Sequence, residues 1–231
     1  LTVIASFSLA LFGVFSVFAF FFQNSLATSI IWWVFVIISP SLLVLFDMHG
    51  QEVVHGVNDN LTGVALSFEL GKYFSKNRLK HTKIKVISFG AEEAGLRGAF
   101  AYAKENKALL LKENSLLVNV DTIKDLEHLC IATNELNTLS FFDRALIAKL
   151  KQSFDAKGVS VKTLPLTVGA SDASAFMMNG LPALSLIGMT TEKLDPTYHT
   201  RLDNLDNFDP KALEKLKEVL IHFVEEIDSK Q

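Results

Sequence analysis

An α/β three-layer sandwich with a mixed, largely parallel central sheet is the fold this sequence predicts, preceded by a transmembrane helical hairpin. Three observations carry that expectation. Short apolar runs rich in Val, Ile and Leu alternate with longer segments of helical periodicity across residues 61–227, the pattern of strands linked by crossover helices. Residues 1–46 contain no Asp, Glu, Lys, Arg or His, so the whole formal net charge of −3 in this 231-residue chain lies beyond them. One strand-like run, Ile84–Phe89, stops at Gly90 and delivers two adjacent carboxylates, Glu92 and Glu93, to the start of a helix.

Taken in order, residues 1–22 form an uncharged run long enough, at helical rise, to cross a bilayer core of about 30 Å. A polar link, Gln23-Asn24-Ser25, precedes a second uncharged run over 26–46 that includes Trp32 and Trp33. Two such runs predict a hairpin anchored in membrane lipid. A signal peptide would need a basic leading region, and no Lys or Arg occurs before Lys72. The flanks therefore give no orientation by the positive-inside rule. Pro40 either kinks the second helix or ends it, with Leu42–Phe46 then a buried strand.

From Asp47 the chain changes character and reads as one catalytic domain over 47–231. An amphipathic helix is expected from near Leu61, with apolar residues Val64, Leu66, Phe68, Leu70 and Phe74. Strands follow at Ile84–Phe89, Leu116–Val120, His128–Ala132, Val159–Leu166 and Ala183–Ile187. Helices are expected over 96–111, 141–154 and 171–178, and a closing one over 210–227 with Pro210 in its first turn. The mild acidity excludes a nucleic-acid partner, which needs a basic face. The one cysteine, Cys130, sits among apolar neighbours as a small buried hydrophobe and has no partner for an internal disulfide.

In a largely parallel sheet, ligands bind beyond the carboxyl ends of the strands. Glu92 and Glu93 follow one strand, Asp121 ends another, Asp59 opens a helix and His199 lies after the last strand. Each alone has an ordinary explanation: a helix cap, a turn acid or a surface histidine. Together they make four acids and an imidazole at one sheet edge, a donor set suited to zinc more than to calcium.

These residues sit in five ordered motifs: VNDNLTG, FGAEEAGLRGA, NVDTI, GASDASAF and YHTRLDN. The series resembles the co-catalytic two-zinc exopeptidases that include bacterial leucyl aminopeptidases and glutamate carboxypeptidase. The resemblance implies a peptide substrate and two zinc ions bridged by Asp59. Glu93 and His199 would complete one metal site, and Asp121 would belong to the other. It also implies that Glu92 is the general base, taking a proton from the water that attacks the scissile carbonyl. Ser171, Asp172 and Tyr198 match positions near the substrate pocket, with Ala173 where the family commonly has a histidine.

One departure stands out. The family carries a His-x-Asp motif on a strand shortly before the bridging aspartate, and here that region is the second apolar run. His49 and His55 lie closer to Asp59, but neither is followed by x-Asp. The histidine ligand either precedes Leu1, with the hairpin inserted after it, or is missing. In the second case the chain is a one-zinc enzyme of glutaminyl-cyclase type, or a non-catalytic membrane receptor or scaffold. Resemblance places the catalytic domain outside the cytoplasm; the oligomeric state has no signature in the sequence.

Overall fold

The computed structural model describes residues 12–14, 16–17, 26–38, 53–189 and 195–230. The chain divides into two compact units, Leu1–Val53 and Val54–Gln231. In the first, helix α1 (Leu26–Ile38) has 13 residues. At about 1.5 Å per residue it is about 20 Å long, short of a bilayer core. Among the described residues no helix is long and apolar enough to cross a membrane. The rest of both apolar runs, with Pro40 and the expected strand Leu42–Phe46, lies outside the described residues. Within this unit the rings of Phe12 and Phe35 are 4.6 Å apart.

The second unit follows the expected alternation. Its helices are α2 (Thr62–Lys76), α3 (Arg97–Lys112), α4 (Arg144–Ala156), α5 (Asp172–Met178) and α6 (Pro210–Ser229). Its strands are β1 (Leu117–Asp121), β2 (Cys130–Glu135), β3 (Ser140–Phe141), β4 (Lys162–Leu166) and β5 (Ala183–Ile187). Sequence chemistry explains the ends. Asp143 caps α4 by accepting Ala145 N–H and Leu146 N–H, and Asp209 caps α6 by accepting Lys211 N–H, with Pro210 at the first helical position.

The sheet is mixed. β1 pairs in parallel with β5, and β2 with β4, whereas β2 runs antiparallel to both β5 and β3. Pro165 lies in β4, which pairs only with β2, so its missing N–H falls on an edge strand. All five residues of β5 are buried, as a strand covered on both faces requires. Helices α2 and α4 pack on α6 and against β1 and β2, while α3 packs on α5, which lies against β1 and β5. Two helical layers thus enclose the sheet, and Leu150, Phe154, Leu184, Leu186, Leu216 and Phe223 are almost wholly buried between them.

One expected strand is corrected. Residues 82–89 form neither helix nor turn and join no ladder among the described residues, and Lys85, Val86 and Ser88 are exposed. β-branched residues favour an extended backbone, but membership of a sheet depends on a neighbour's hydrogen bonds. The segment is held by its side chains instead. The Phe89 ring lies 5.6 Å from that of Tyr102 on α3 and 5.9 Å from that of Phe176 on α5. Where the segment begins, Asp228 near the end of α6 accepts the N–H groups of Lys80, His81 and Thr82 at 2.9, 2.7 and 2.7 Å. Those bonds hold its carboxyl down at about 2.

Candidate active site

Four loops converge at the site, and each is fixed by the polar chemistry of its own residues. Asp59 sits in a wide turn over Val57–Leu61 whose backbone leaves the helical region at Asp59 (φ −118°, ψ 90°) and Asn60 (φ −137°, ψ 41°). The Asp59–Asn60 peptide is cis. Asn60 ties this turn to the end of β1, donating to Val120 O at 2.9 Å and accepting Gly63 N–H at 3.1 Å. A Cβ at Gly63 would collide with the Val120 carbonyl oxygen and the Asn60 amide, so the close approach requires glycine. Asp203, 2% exposed, accepts the backbone N–H groups of Asn58 (2.6 Å) and Asp59 (3.1 Å).

Glu92 and Glu93 lie in the turn between Gly90 and α3, where Gly95 and Leu96 both donate N–H to Glu92 O. Gly98 N–H closes the turn on Gly90 O at 3.1 Å, and a Cβ at Gly98 would run into that same oxygen. Three non-glycine residues beside site residues have positive φ: Ala91 (57°), Thr122 (56°) and His199 itself (54°). Non-glycine residues rarely adopt this conformation, and such outliers gather at functional sites. The His199 loop is held through buried Asp195, which accepts Thr197 N–H at 2.9 Å, Thr197 Oγ1 at 2.7 Å and Lys124 Nζ at 2.7 Å.

This framework brings Asp59, Glu93 and His199 together. His199 Nε2 is 3.0 Å from Glu93 Oε1 and 3.1 Å from Asp59 Oδ2, and the three potential ligand atoms lie within 4.8 Å of one another. The Tyr198 ring stacks on the imidazole, with centroids 3.9 Å apart. One imidazole nitrogen between two carboxylate oxygens fits a zinc ion, which takes three such protein ligands in catalytic sites. Asp121 is not part of this triad. Its carboxylate accepts Thr122 Oγ1 at 3.1 Å and feels the charge of Asp59.

Electrostatically the site holds an excess of acid. Burial, reinforced by Asp121, Glu93, Asp172 and Asp59, pushes Glu92 up to about 8. Asp121 rises to about 7, first through burial and then through Asp59. Asp172 rises to about 6 through burial and the charge of Glu135. His199 is held above its ordinary value, chiefly by its hydrogen bond to Asp59 and by the charges of Glu93 and Asp59. Neighbouring negative charge adds to burial at the three carboxylates and opposes it at His199, because it disfavours a carboxylate and favours an imidazolium. A divalent cation removes that penalty from the whole cluster.

Of the substrate-side residues expected from sequence, Ser171 is buried and Asp172 half-buried at the start of α5, while Tyr198 lies against His199. Ser171, at the N-cap of α5, makes no side-chain cap to that helix. Sequence reasoning missed Glu135 and Asp195, and it expected Asp203 to support its loop through Arg201, whereas Asp203 accepts the N–H groups of Asn58 and Asp59. All three are buried acids outside the metal triad, and each takes at least one partner from a distant segment.

The chain is similar in sequence to known aminopeptidases. Aminopeptidase YwaD of Bacillus subtilis (strain 168) is 26% identical over 183 residues, covering 76% of this chain and 38% of that protein. A solved structure described as BSAP, a zinc aminopeptidase from Bacillus subtilis, superposes with a TM-score of 0.63 at 24% identity, covering 75% of this chain and 43% of that one. An aminopeptidase from Aneurinibacillus sp. strain AM-1 gives a TM-score of 0.61 at 25% identity, covering 74% of this chain and 39% of that one. The chain thus spans well under half the length of these proteins. Residues 43–224, most of the chain and all five motifs, match the family model, and the chain belongs to peptidase family M28.

Proposed function

We propose that the chain acts as a zinc-dependent exopeptidase, most simply an aminopeptidase that releases the first residue of a peptide. The observation that carries this reading is the convergence of Asp59, Glu93 and His199 beside the half-buried carboxylate of Glu92. Zinc held by the triad supplies Lewis acidity and lowers the pKa of water bound to it. Glu92 is the general base. It is adjacent to a ligand without belonging to the triad, and its raised proton affinity brings it toward the working pH where proton transfer is most efficient. Its protonated form then delivers the proton to the departing amine.

Asp121 would hold a second metal ion together with Asp59. Its support is the motif order and the strong repulsion between these two acids, which a second cation would relieve. Ser171, Asp172 and Tyr198 line the substrate side. Residues 1–46 anchor the protein to membrane lipid; the support is their lack of any ionisable side chain and the exposure of Leu26, Trp33 and Ile37 on α1.

The test is hydrolysis of leucyl-p-nitroanilide by the purified chain. Activity abolished by a chelator, restored by zinc and lost in Glu92→Gln supports the mechanism. Hydrolysis that survives both chelation and Glu92→Gln contradicts it.

A further inference from the structure

Glu135 ends β2 and is fully buried, although nothing in its sequence context marks it as special. Its hydrogen bonds come from neutral donors. Ser171 N–H reaches Oε2 at 2.7 Å, Ser171 Oγ reaches Oε1 at 2.6 Å and Ser174 Oγ reaches Oε2 at 2.5 Å. Two further hydroxyls brace the donors: Ser185 Oγ of β5 lies 2.8 Å from Ser171 Oγ, and Thr138 Oγ1 lies 2.7 Å from Ser174 Oγ. Ser171, Ser174 and Ser185 are all at most 1% exposed. A buried carboxylate is costly unless its lone pairs are satisfied, and this one is satisfied entirely from the first turn of α5.

The clamp grips the residues on either side of Asp172. Gripping Ser171 by both its N–H and its hydroxyl fixes where Asp172 leaves the backbone, and gripping Ser174 fixes the turn that follows. Asp172 stands within electrostatic reach of Glu92 and Asp121, and its buried Oδ1 has no hydrogen-bond partner among the described residues. The carboxylate that the clamp aims is therefore left with acceptor capacity beside the reacting groups.

We propose that Glu135 is a positioning residue of the peptidase site, holding Ser171 and Ser174 so that the Asp172 carboxylate meets the substrate in a fixed orientation. This rests on the aminopeptidase reading and adds a residue to it. Glu135 touches no substrate and acts only through Asp172. Truncation to alanine frees the α5 start. Glutamine keeps the clamp, because its carbonyl accepts Ser171 N–H and Ser174 Oγ while its amide donates to Ser171 Oγ, which turns to donate to Ser185.

The experiment is a kinetic cycle on leucyl-p-nitroanilide with zinc-loaded wild type, Glu135→Ala, Asp172→Asn and the double variant, with Glu135→Gln as the conservative control. Melting temperature and bound zinc are measured for each. Glu135→Ala and Asp172→Asn should each raise KM about tenfold with a smaller change in kcat, and the double variant should be no worse than either, because groups in one network are not additive. Glu135→Gln should restore KM to within about threefold of wild type, as expected when the hydrogen bonds are remade. If Glu135→Ala does not fold, Ser171→Ala replaces it in the cycle with the same expectation. Multiplying effects in the double variant, or an unchanged KM in the first, would overturn the inference while leaving the aminopeptidase reading intact. An inactive zinc-loaded wild type would overturn that reading and the inference with it.

Discussion

His199 Nε2 lies 3.0 Å from Glu93 Oε1, joining side chains 106 positions apart in the sequence. The same nitrogen is 3.1 Å from Asp59, so a proton on His199 occupies the place between two carboxylates that a zinc ion would take. Proton and metal therefore compete. Because Asp59 and Glu93 raise the histidine's proton affinity, zinc binding should release a proton, and zinc affinity should rise with pH until His199 is deprotonated. Titrating zinc at several pH values between 5.5 and 8 in buffers of different ionisation enthalpy checks both the trend and the proton release.

Glu92→Gln should separate chemistry from metal binding. Loss of a general base typically costs about 10²- to 10⁴-fold in rate, and kcat should fall by that order while zinc content is unchanged. The same substitution should stabilise the chelator-treated protein at high pH. Glu92 binds its proton more tightly folded than unfolded, so its contribution to stability is complete below the ordinary value of 4.5 and is lost as pH rises through about 8. The variant's melting temperature should overtake that of wild type across this window, and zinc should abolish the difference.

Gly98→Ala should damage the site from behind. The added Cβ meets the Gly90 carbonyl oxygen, whose bond to Gly98 N–H closes the turn bearing Glu92 and Glu93. Weaker zinc binding together with a lower melting temperature is expected. The exposed Gly158, where a Cβ meets nothing but φ is +67°, makes a useful control: alanine there should lower stability through backbone strain alone and leave zinc affinity unchanged.

Leu184→Ala should cost about 2–5 kcal/mol, the usual range for a large-to-small change at a closed core position. Leu184, the second residue of β5, is 0% exposed in the strand covered on both faces. Denaturant unfolding of the chain measures it.

The elements that position the site were legible where the sequence supplies both a period and a boundary. Strand β5 was expected at its observed limits because Pro182 precedes its apolar run and Gly188 follows it. Helix α6 was announced by Pro210 and a clear apolar stripe. Ile84–Phe89 was read as a strand and pairs with no neighbour among the described residues, because pairing is a property of two segments and the sequence of one cannot supply it. Asp59, Glu93 and His199 were legible as a set, since each sits in a recognisable turn and the turns recur in a fixed order. Glu135 was not, and Asp203 was legible only as a loop support without its true partner. Their partners lie 36 and 145 residues away, and an acid at a strand end or in a loop resembles any solvated acid until the fold brings buried donors to it.

Zinc binding by the whole chain, compared between wild type and His199→Ala by calorimetry and metal analysis, tests the central claim most directly. Removing even a residue that supports a ligand costs about 10- to 100-fold in metal affinity, so loss of a ligand should cost at least that much. A tight zinc site in wild type, weakened by this factor or more in the variant, is the expected result. A wild-type chain that binds no zinc, or a variant that binds it equally well, would contradict the account.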